Sequence, residues 1–391
     1  MREILAVTWM NLCNLPQRLQ SSSVVVIGIC GVVAVLLSVL ALATGFRRTI
    51  DSSASPERAI VLSRGAESEG ASSLTRIATA TIANSPGIRR VEEGPVASAE
   101  ILLIASVARK TDGNDAYVTL RGVGSRAFQL RPEAKLVAGR MFKPAVHELI
   151  VGRLAQSRFA GLEVGKKVLL RGGEWTVVGV FESGGNALES SLLADANTVL
   201  AAYKWQNFSS ITVEVGASGY ERFKDALLQD PTLQIDVWRE SDYMASIARP
   251  LHRMLNLVGY GIGAIMAIGA LFAALNTMYS AVSARSVEIA TLRAIGFRTS
   301  AVVASVFAEA VLLAMLGAVA GTVVALFAFD GNAVNSMSSR SQPAQLVYQL
   351  SVSSESIAMG AALALLIGVL GGLLPAIRAA RMPIAAALRD G

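Results

Sequence analysis

The sequence predicts an α-helical membrane protein with four transmembrane helices and one α+β domain outside the cytoplasm. Four apolar runs predict the helices, because each is near or above the roughly 20 residues that a helix needs to cross a bilayer. They lie at residues 24–46, 254–282, 301–329 and 357–377. Charged residues return between the first two runs, at 47–252, where strand-like and helix-like segments mix without strict alternation. With 53% apolar residues among 391, a membrane part joined to a water-exposed part is expected.

Residues 1–23 form a short N-terminal segment that we expect on the cytoplasmic side. Its apolar residues, Trp9 among them, stand between polar ones. This pattern fits a helix lying along the membrane interface with Trp9 at headgroup level, and it fits a frayed tail equally well. The sequence alone leaves both interpretations open.

The first apolar run, 24–46, carries no charged side chain up to Phe46. The triplet Ala41-Leu42-Ala43 resembles a signal-peptidase site, which would make the run a cleaved signal. The apolar region of a signal peptide is roughly 7–15 residues long, however, and this run is longer. Because three further candidate spans follow, we expect an uncleaved anchor.

The domain at 47–252 is predicted from short segments rich in Val, Ile and aromatic residues that glycines bound. These predict strands at 117–122, 148–152, 168–171, 175–181 and 210–215. Amphipathic segments predict helices at 72–83, 153–159, 195–203 and 220–228. Both cysteines, Cys13 and Cys30, precede the domain, so it has no internal disulfide. His147 and His252 are far apart and have no cysteine near them, which argues against a zinc site.

Small residues four apart mark three of the four spans, and they would let neighbouring helices approach closely. They include Gly259 and Gly263 in the second span, Gly317 and Gly321 in the third, and Gly368 and Gly372 in the fourth. This pattern suits a tightly packed bundle or a dimer. Glu309 is the one acidic residue inside the third run. It has two interpretations: a functional intramembrane charge, or a residue near the interface, since it is only about two turns into the run.

A charged segment, 283–300, separates the second and third spans, and residues 285–296 within it predict a short amphipathic helix. Ile289, Leu292 and Ile295 recur at helical spacing and predict one apolar stripe. A surface helix between two spans is suited to dock in a groove of a soluble partner, whereas a solvated loop helix without a partner is the simpler interpretation.

Two local features support this helix. Arg285 and Glu288 are three residues apart and are predicted to pair on its polar side. Gly296 stands where a helix C′ glycine belongs, because glycine adopts positive φ without a Cβ clash. The segment is therefore predicted to begin and end as a helix of its own.

The arginines near the spans predict the topology. The segment 283–300 holds Arg285, Arg293 and Arg298, and the tail 378–391 holds Arg378, Arg381 and Arg389. The polar loop 330–356 holds only Arg340. The excess of positive charge on cytoplasmic loops then places the segment, the tail and residues 1–23 in the cytoplasm, and the α+β domain outside it.

The segment 285–296 resembles the coupling-helix motif of the MacB/FtsX-type ABC transporter permeases, R-x-R-E-I-x-x-L-R-A-x-G. The matching residues are Arg285, Glu288, Ile289, Leu292, Arg293, Ala294 and Gly296. Val287 stands where the family has its second basic residue. The tail resembles the family's closing motif, P-A-x-R-A-A-R followed by A-L-R, through Pro375, Ala376, Arg378, Ala379, Ala380, Arg381, Ala387, Leu388 and Arg389. Segments 132–133, 136–142, 148–152, 161–165 and 175–181 resemble the family's extracytoplasmic domain.

This resemblance implies a MacB-like fold and a permease subunit without a fused ATPase domain, in the inner membrane. It implies two copies, each with a separate ABC ATPase subunit that holds ATP and Mg²⁺, and a periplasmic adaptor protein as a further partner beside membrane lipid. It implies that the coupling-helix residues contact the ATPase. Efflux, lipoprotein extraction and FtsX-like control of cell-wall hydrolases all remain open as outputs. A membrane receptor is the rival from another class, and the short cytoplasmic segments argue against it.

Catalytic motifs are missing from the sequence. The stretch from Gly161 to Lys167 is one residue short of a P-loop and ends in lysine where Ser or Thr must bind Mg²⁺. There is no G-x-S-x-G and no H-E-x-x-H. The net charge of +6 is spread along the chain without a basic run, which argues against nucleic acid as a partner. We therefore expect a non-catalytic subunit with no cofactor of its own.

Overall fold

The computed structural model describes residues 19–335 and 347–381. Residues 1–18, 336–346 and 382–391 lie outside the described part of the chain. Six residues named in the sequence analysis lie there: Trp9 and Cys13 near the N-terminus, Arg340 of the polar loop, and Ala387, Leu388 and Arg389 of the tail. The predictions made for these residues therefore stay predictions.

The chain divides into two compact units. The helical unit comprises Met1–Thr44, His252–Asn332 and Leu350–Gly391, as far as these ranges are described. The α+β unit comprises Gly45–Leu251 and Ala333–Gln349, with the same limit. The described residues 333–335 and 347–349 of the predicted polar loop thus belong to the α+β unit, and they pair with each other as antiparallel strands.

Helices and strands are numbered here in chain order over the described residues. The helices are α1 Leu19–Asp51, α2 Arg76–Ala83, α3 Ala127–Leu130, α4 Arg153–Arg158, α5 Ala196–Tyr203, α6 Gly216–Leu228, α7 Glu240–Ala284, α8 Ser286–Ala294, α9 Thr299–Phe329 and α10 Ser354–Arg381. The strands are β1 Arg58–Ser63, β2 Arg90–Val91, β3 Gly94–Pro95, β4 Ala97–Ala108, β5 Asp115–Val123, β6 Lys135–Gly139, β7 Glu148–Gly152, β8 Lys167–Leu170, β9 Gly173–Glu182, β10 Ser191–Asp195, β11 Ser210–Glu214, β12 Ile235–Arg239, β13 Ala333–Asn335 and β14 Val347–Gln349.

Four of these helices, α1, α7, α9 and α10, are the ones in the described residues that are long and apolar enough to cross a membrane. Each extends past the apolar run from which it was predicted. The largest extension belongs to α7, which begins at Glu240 rather than near residue 254 and contains Pro250. Glu240 and Asp242 in its first turn complement the positive N-terminal end of the helix dipole. Because of these charged residues, the sequence analysis assigned the start of α7 to the α+β domain.

The predicted packing glycines lie where helices of the helical unit approach each other. A methyl group built on Gly317 would lie 2.8 Å from Ile29 Cβ, and one on Gly321 would lie 2.7 Å from the carbonyl oxygen of Cys30. Equivalent distances are 2.9 Å at Gly259, 3.1 Å at Gly263, 2.6 Å at Gly368 and 2.5 Å at Gly372. At most of these positions a larger residue would force the helices apart, so the small side chain sets the spacing.

One mixed sheet organises the α+β unit. Its strand order is β12-β1-β11-β4-β5-β10-β7-β9-β6, with β8 paired to β9. The pairs β5–β10 and β7–β9 are parallel, and the others are antiparallel. Helices α2 and α6 pack on the β1–β11–β12 end, and α5 packs near β4 and β5. The α+β content predicted for this domain is therefore confirmed.

The five strands and four helices predicted in this domain all occur, with small shifts at their ends. Two shifts follow from capping. Helix α2 begins at Arg76 rather than near residue 72, because the Thr75 side chain accepts a hydrogen bond from Ala78 N. Helix α5 begins after Asp195, whose carboxylate accepts a hydrogen bond of 2.9 Å from Thr198 N. The strands that sequence analysis did not assign include β1, β4, β6, β10 and β12.

Candidate functional site

The candidate site is helix α8, which lies between α7 and α9. The chain leaves α7 at Ala284, turns at Arg285 and enters α8 at Ser286. Ile289 N donates a 2.9 Å hydrogen bond to the carbonyl oxygen of Arg285. The helix ends before Gly296, which has φ +107°, and Phe297 N closes the turn on the Leu292 carbonyl at 3.1 Å. Gly296 thus has the left-handed conformation that its predicted place requires.

The predicted pair of Arg285 with Glu288 is wrong. The Arg285 guanidinium instead binds the Glu309 carboxylate of α9 through two hydrogen bonds, Nη1 to Oε2 at 3.0 Å and Nη2 to Oε1 at 3.1 Å. Arg285 lies at the turn between α7 and α8, and its side chain is buried, whereas Glu288 is exposed. The sequence spacing that suggested the pair holds only inside a continuous helix, and α8 starts one residue later.

Glu309 is therefore not an isolated charge, because it has a partner within the protein. Its side chain is 5% exposed and that of Arg285 is 6% exposed, so both charges are removed from solvent. Each has a counter-charge in bidentate geometry, which offsets the cost of desolvation. Removing one partner of such a buried pair costs about 3–5 kcal/mol, because the other charge stays buried without compensation. The pair ties the start of α8 to α9.

A small cavity of about 30 Å³ adjoins this ion pair. Its walls include Arg285, Glu309 and Glu288, together with apolar side chains of α7, α8 and α9. The Nε atom of Arg285 is buried and has no hydrogen-bond partner among the described residues. The Arg285 guanidinium thus uses its two Nη atoms for the pair with Glu309 and, within the described part of the chain, leaves Nε unpaired.

The three residues of the predicted apolar stripe of α8 differ in their exposure to solvent. Ile289 is buried in a cluster with residues of α7, α9 and α10, including Met278 and Val306, whereas Leu292 is half-buried and Ile295 is 73% exposed. A three-residue step turns about 60° short of a full helical turn at 3.6 residues per turn. Two such steps carry Ile295 well away from the face of Ile289. The stripe thus begins in the core and ends on the surface.

The exposed face of α8 combines two apolar side chains with one acid. Val287 is 42% exposed, and Glu288, Thr291 and Ile295 are also exposed. Residues at positions i, i+4 and i+8 lie on one side of a helix, so Val287, Thr291 and Ile295 form one face. Arg293 is half-buried. We call Val287, Glu288, Thr291 and Ile295 the exposed face; its composition suits a helix that docks in a partner's groove.

The tail contributes one contact that the sequence did not suggest. The guanidinium of Arg378, in the last turns of α10, lies 5.4 Å from the centre of the Tyr279 ring of α7. This distance allows a cation–π interaction. Arg381 is exposed at the end of α10, and Arg389 lies outside the described residues. The basic end of α10 is thus held beside the end of α7.

A second set of charges, in the α+β unit, was missed entirely by sequence analysis. We call it the charge network: Arg58, Glu69, Glu100, Arg121, Arg131 and Glu240, with Glu133 at its rim. Glu100 lies at its centre and accepts hydrogen bonds from Arg121 at 2.6 Å and Arg131 at 2.6 Å. Arg121 also binds Glu69, and Arg58 binds both Glu240 and Glu133.

Glu100 is fully buried, and burial alone would raise the pKa of its carboxyl group. The guanidinium groups of Arg131 and Arg121 outweigh this effect and lower the pKa of Glu100 to about 2. One sequence signal was available: Glu100 is a lone acid at the start of the apolar strand β4. Because Glu240 is the first residue of α7, the network also fixes the start of that helix to the sheet.

Within 19–335 and 347–381, no group of three or more His, Cys, Asp or Glu side chains is arranged to hold a metal ion. The candidate site consists of the exposed face of α8, the buried ion pair of Arg285 with Glu309, and the apolar contacts of Ile289 with neighbouring helices.

Family models match both parts of the chain. The model described as MacB-like periplasmic core domain matches residues 22–228, which is more than half of the chain. The model described as FtsX-like permease C-terminal matches residues 260–384. The second match includes α8 and the ion pair of Arg285 with Glu309.

Two curated relatives carry the name macrolide export ATP-binding/permease protein MacB. The protein from Hahella chejuensis is 28% identical over 244 residues, which cover 58% of this chain and 35% of that protein. The one from Aeromonas hydrophila is 27% identical over 370 residues, which cover 85% of this chain and 55% of that protein. The chain thus spans between about a third and about half of the length of these relatives.

The comparison with solved structures gives matches to two extracytoplasmic regions of transporters. The periplasmic region of MacB from Actinobacillus actinomycetemcomitans gives a TM-score of 0.38 at 14% identity, covering 49% of this chain and 92% of that one. The extracellular domain of the noncanonic ABC-type transporter YknZ from Gram-positive bacteria gives 0.35 at 16% identity, covering 46% and 99%.

The two family models match parts of the α+β unit, the long apolar helices and α8, and they place the chain in the class of ABC transporter permeases. The chain belongs to the MacB/FtsX-type family of these permeases. The resemblance inferred from the coupling-helix and tail motifs is therefore confirmed.

Proposed function

We propose that this chain is the membrane subunit of an ABC transporter and that a separate ATPase subunit drives motion of its α+β unit. In this proposal the four apolar helices cross the inner membrane, with α8 and the end of α10 in the cytoplasm. The arginines of 283–300 and of the tail support this orientation. The main support for the proposal is the exposed face of α8. This helix lies between two long apolar helices, and the ion pair of Arg285 with Glu309 holds it to one of them.

Residues of α8 divide between two tasks. Val287, Glu288 and Ile295 are exposed and contact the ATPase, with Glu288 meeting a basic group there. Arg285 and Ile289 are buried and hold the helix to its neighbours. ATP and Mg²⁺ bind to the ATPase subunit, and this chain supplies only the docking helix. Arg285 thus acts as an anchor rather than as a contact.

Movement of α8 is carried along α7. Helix α8 follows α7 after one residue, and the Arg285–Glu309 pair joins it to α9, so a push on α8 displaces both helices. Helix α7 is continuous from Ala284 to Glu240, whose carboxylate pairs with Arg58 of β1. Displacement of α7 therefore pulls on the charge network inside the α+β unit. Closure of the ATPase is converted in this way into a change of shape outside the cytoplasm.

Export of a substrate is the output that we propose. Both curated relatives are named for macrolide export, and sequence similarity to them extends over much of this chain. A second copy of the chain completes the transporter, and a periplasmic adaptor protein receives what the α+β unit releases. The apolar outer surfaces of the four helices face lipid.

The test uses the full chain co-expressed with an ABC ATPase and purified in mild detergent. We expect a stoichiometric complex with ATPase activity that rises when the two subunits are together. Glu288→Lys reverses the charge on the exposed face and is expected to abolish this rise. Glu93→Lys is the matched control, because it reverses an equally exposed acid in the turn between β2 and β3.

Two results would contradict the proposal. One is a preparation in which no ABC ATPase associates with the wild-type chain. The other is a Glu288→Lys variant with the activity of the control. Loss of activity in both variants would show that charge reversal itself is harmful, and it would remove the support for α8 as the contact.

A further inference from the structure

A cavity of about 320 Å³ lies in the α+β unit, on the opposite side of the sheet from the core cluster that contains Ile101 and Leu120. The register of β4 and β5 pairs Leu102 with Arg121 and Ile104 with Thr119. Paired residues on adjacent strands point to the same face, so these four side chains line one wall. The alternate residues of β4 and β5, such as Ile101 and Leu120, point to the opposite face and are buried in the core.

The first turns of α7 form another wall of the cavity. Tyr243, Met244 and Ile247 line it, and they also pack with Ile60 and Leu62 of β1. A volume of this size falls within the roughly 300–1,000 Å³ of pockets that hold small molecules in proteins. The cavity is therefore large enough to be a binding site.

Apolar side chains dominate the entrance and the walls. Ile104 is 40% exposed and Trp205 is 52% exposed, and both belong to the lining. A half-exposed tryptophan offers a large apolar surface that a ligand would cover on binding. Hydroxyl groups of Ser68 and Thr119 are among the polar groups of the lining. A mainly apolar pocket with a small number of hydrogen-bonding groups is typical of small-molecule sites.

The charged groups of the lining are already neutralised. Glu69 binds Arg121 at 2.6 Å, and Glu240 binds Arg58, so these carboxylates have counter-charges. Arg131 binds Glu100 at 2.6 Å. A charged ligand would lose its hydration shell without meeting an unpaired counter-charge, and this is costly. The charge network thus selects against ions although it contributes to the wall.

We propose that this cavity binds an uncharged, mainly apolar small molecule that carries one or two hydrogen-bonding groups. The apolar part covers Leu102, Ile104 and Trp205, and the polar group meets a hydroxyl of the wall. The proposal goes beyond the function proposed above. Binding requires neither an ATPase partner nor transport, so each can fail without the other.

The test uses photolabelling of the purified full chain in detergent. The probe is a medium-chain alcohol that carries a diazirine, with its carboxylate and trimethylammonium counterparts as charged controls. We expect saturable adducts on the segments of Ile104, Trp205 and Met244, found by peptide mass spectrometry and displaced by excess unlabelled alcohol. Because burial of an unpaired charge costs more than about 1.4 kcal/mol, the charged probes should give about tenfold less adduct there. Labelling of the long apolar helices serves as an internal reference.

Ile104→Trp fills the cavity from a partly exposed position and is expected to remove most of the saturable labelling. Leu169→Trp is the matched control, because Leu169 lies on β8 outside the lining and is 76% exposed. Adducts confined to the long helices, equal labelling by all three probes, or an unchanged Ile104→Trp variant would each overturn the proposal. Should Ile104→Trp not fold, displacement by unlabelled alcohol on the wild-type chain decides, since labelling that does not saturate also overturns it.

Discussion

The α+β unit buries its charges as a network, whereas the helical unit ties α8 to α9 by one buried ion pair. In the network Glu100 binds two guanidinium groups, and Arg121 binds two carboxylates. In the helical unit Arg285 binds Glu309. Among the described residues, neither of the two forms a second ion pair. A network distributes the loss of one member over several partners, whereas a single pair does not. The difference suggests that the network holds a fixed structure and that the pair is the more sensitive point.

The largest effect is expected from Glu309→Ala. This change leaves Arg285 buried without its counter-charge and should lower the free energy of unfolding by about 3–5 kcal/mol. The double variant Arg285→Met with Glu309→Met should recover most of this loss, because two apolar side chains of similar length replace both charges. Thermal unfolding in detergent, followed by far-ultraviolet circular dichroism, reports on the helices.

Glu288→Ala is the control for this prediction, since Glu288 is exposed and should change stability little. If Glu309→Ala were no less stable than Glu288→Ala, the single pair would not be the sensitive point of the helical unit. The comparison between the two units would then fail at its first step.

A smaller effect is expected from Glu100→Gln at the centre of the network. Arg121 keeps Glu69 at 2.6 Å, while Arg131 keeps Glu240 at 4.0 Å, so neither guanidinium is left without a carboxylate. The loss should be about 1.5–3 kcal/mol, as for hydrogen bonds to charged groups. The described tryptophans, Trp175, Trp205 and Trp238, all lie in the α+β unit, and their fluorescence follows its unfolding.

The matched control is Glu93→Gln, which changes the same functional group at an exposed site. Equal losses in Glu309→Ala and Glu100→Gln would mean that partners in a network do not compensate for each other. That result would contradict the distinction between the units.

The stability of the α+β unit should also depend on pH through Glu100. The pKa of its carboxyl is lowered to about 2 from an ordinary value of 4.5, since Arg131 and Arg121 outweigh the effect of burial. The ionised form stabilises the folded state, so this contribution is complete above about pH 5 and is lost as the pH falls toward 2. Midpoints of thermal unfolding between pH 7 and pH 3 should fall less steeply in Glu100→Gln than in the wild type.

Part of the slope should remain in that variant. Arg140 donates hydrogen bonds to Glu148 and, against the effect of burial, lowers its pKa to about 2 as well. Identical pH profiles for the wild type and Glu100→Gln would show that Glu100 does not supply the acid sensitivity. The contribution of the buried network to the free energy of unfolding would then come from packing and not from the ionised state of Glu100.

The same contrast explains what the sequence could and could not predict. Gly296, the helix near 195–203 and the strand around Trp175 were predictable because their signals lie within a few neighbouring residues. The Arg285–Glu309 pair joins residues 24 apart, and Arg58 and Glu240 are 182 apart. Periodicity shows which face of a segment is apolar, but it does not show which distant charge will lie opposite. The false Arg285–Glu288 pair arose because only the local partner was visible.

Packing was predictable to an intermediate degree. Glycines four apart predicted that helices approach each other at Gly317 and Gly321, and the structure places both against α1. The sequence did not identify α1 as the neighbour, since a stripe of small residues carries no information on its partner. Strand β4 was missed for a related reason. Its alternation is weak because Ala and Leu occupy both faces.

The smallest effect is expected from Glu133→Gln at the rim of the network. The Glu133 side chain is 32% exposed. In the variant, Arg58 still pairs with Glu240 and still donates a 2.7 Å hydrogen bond to the Leu130 carbonyl. The free energy of unfolding should therefore fall by only about 0–1 kcal/mol. Glu240→Gln changes the other carboxylate on the same guanidinium, at 2% exposure, and should cost more. Equal losses, measured by tryptophan fluorescence at low salt, would mean that burial does not set the strength of these pairs. With unequal losses, added salt should remove the Glu133 contribution first, because solvent screens the exposed pair more strongly.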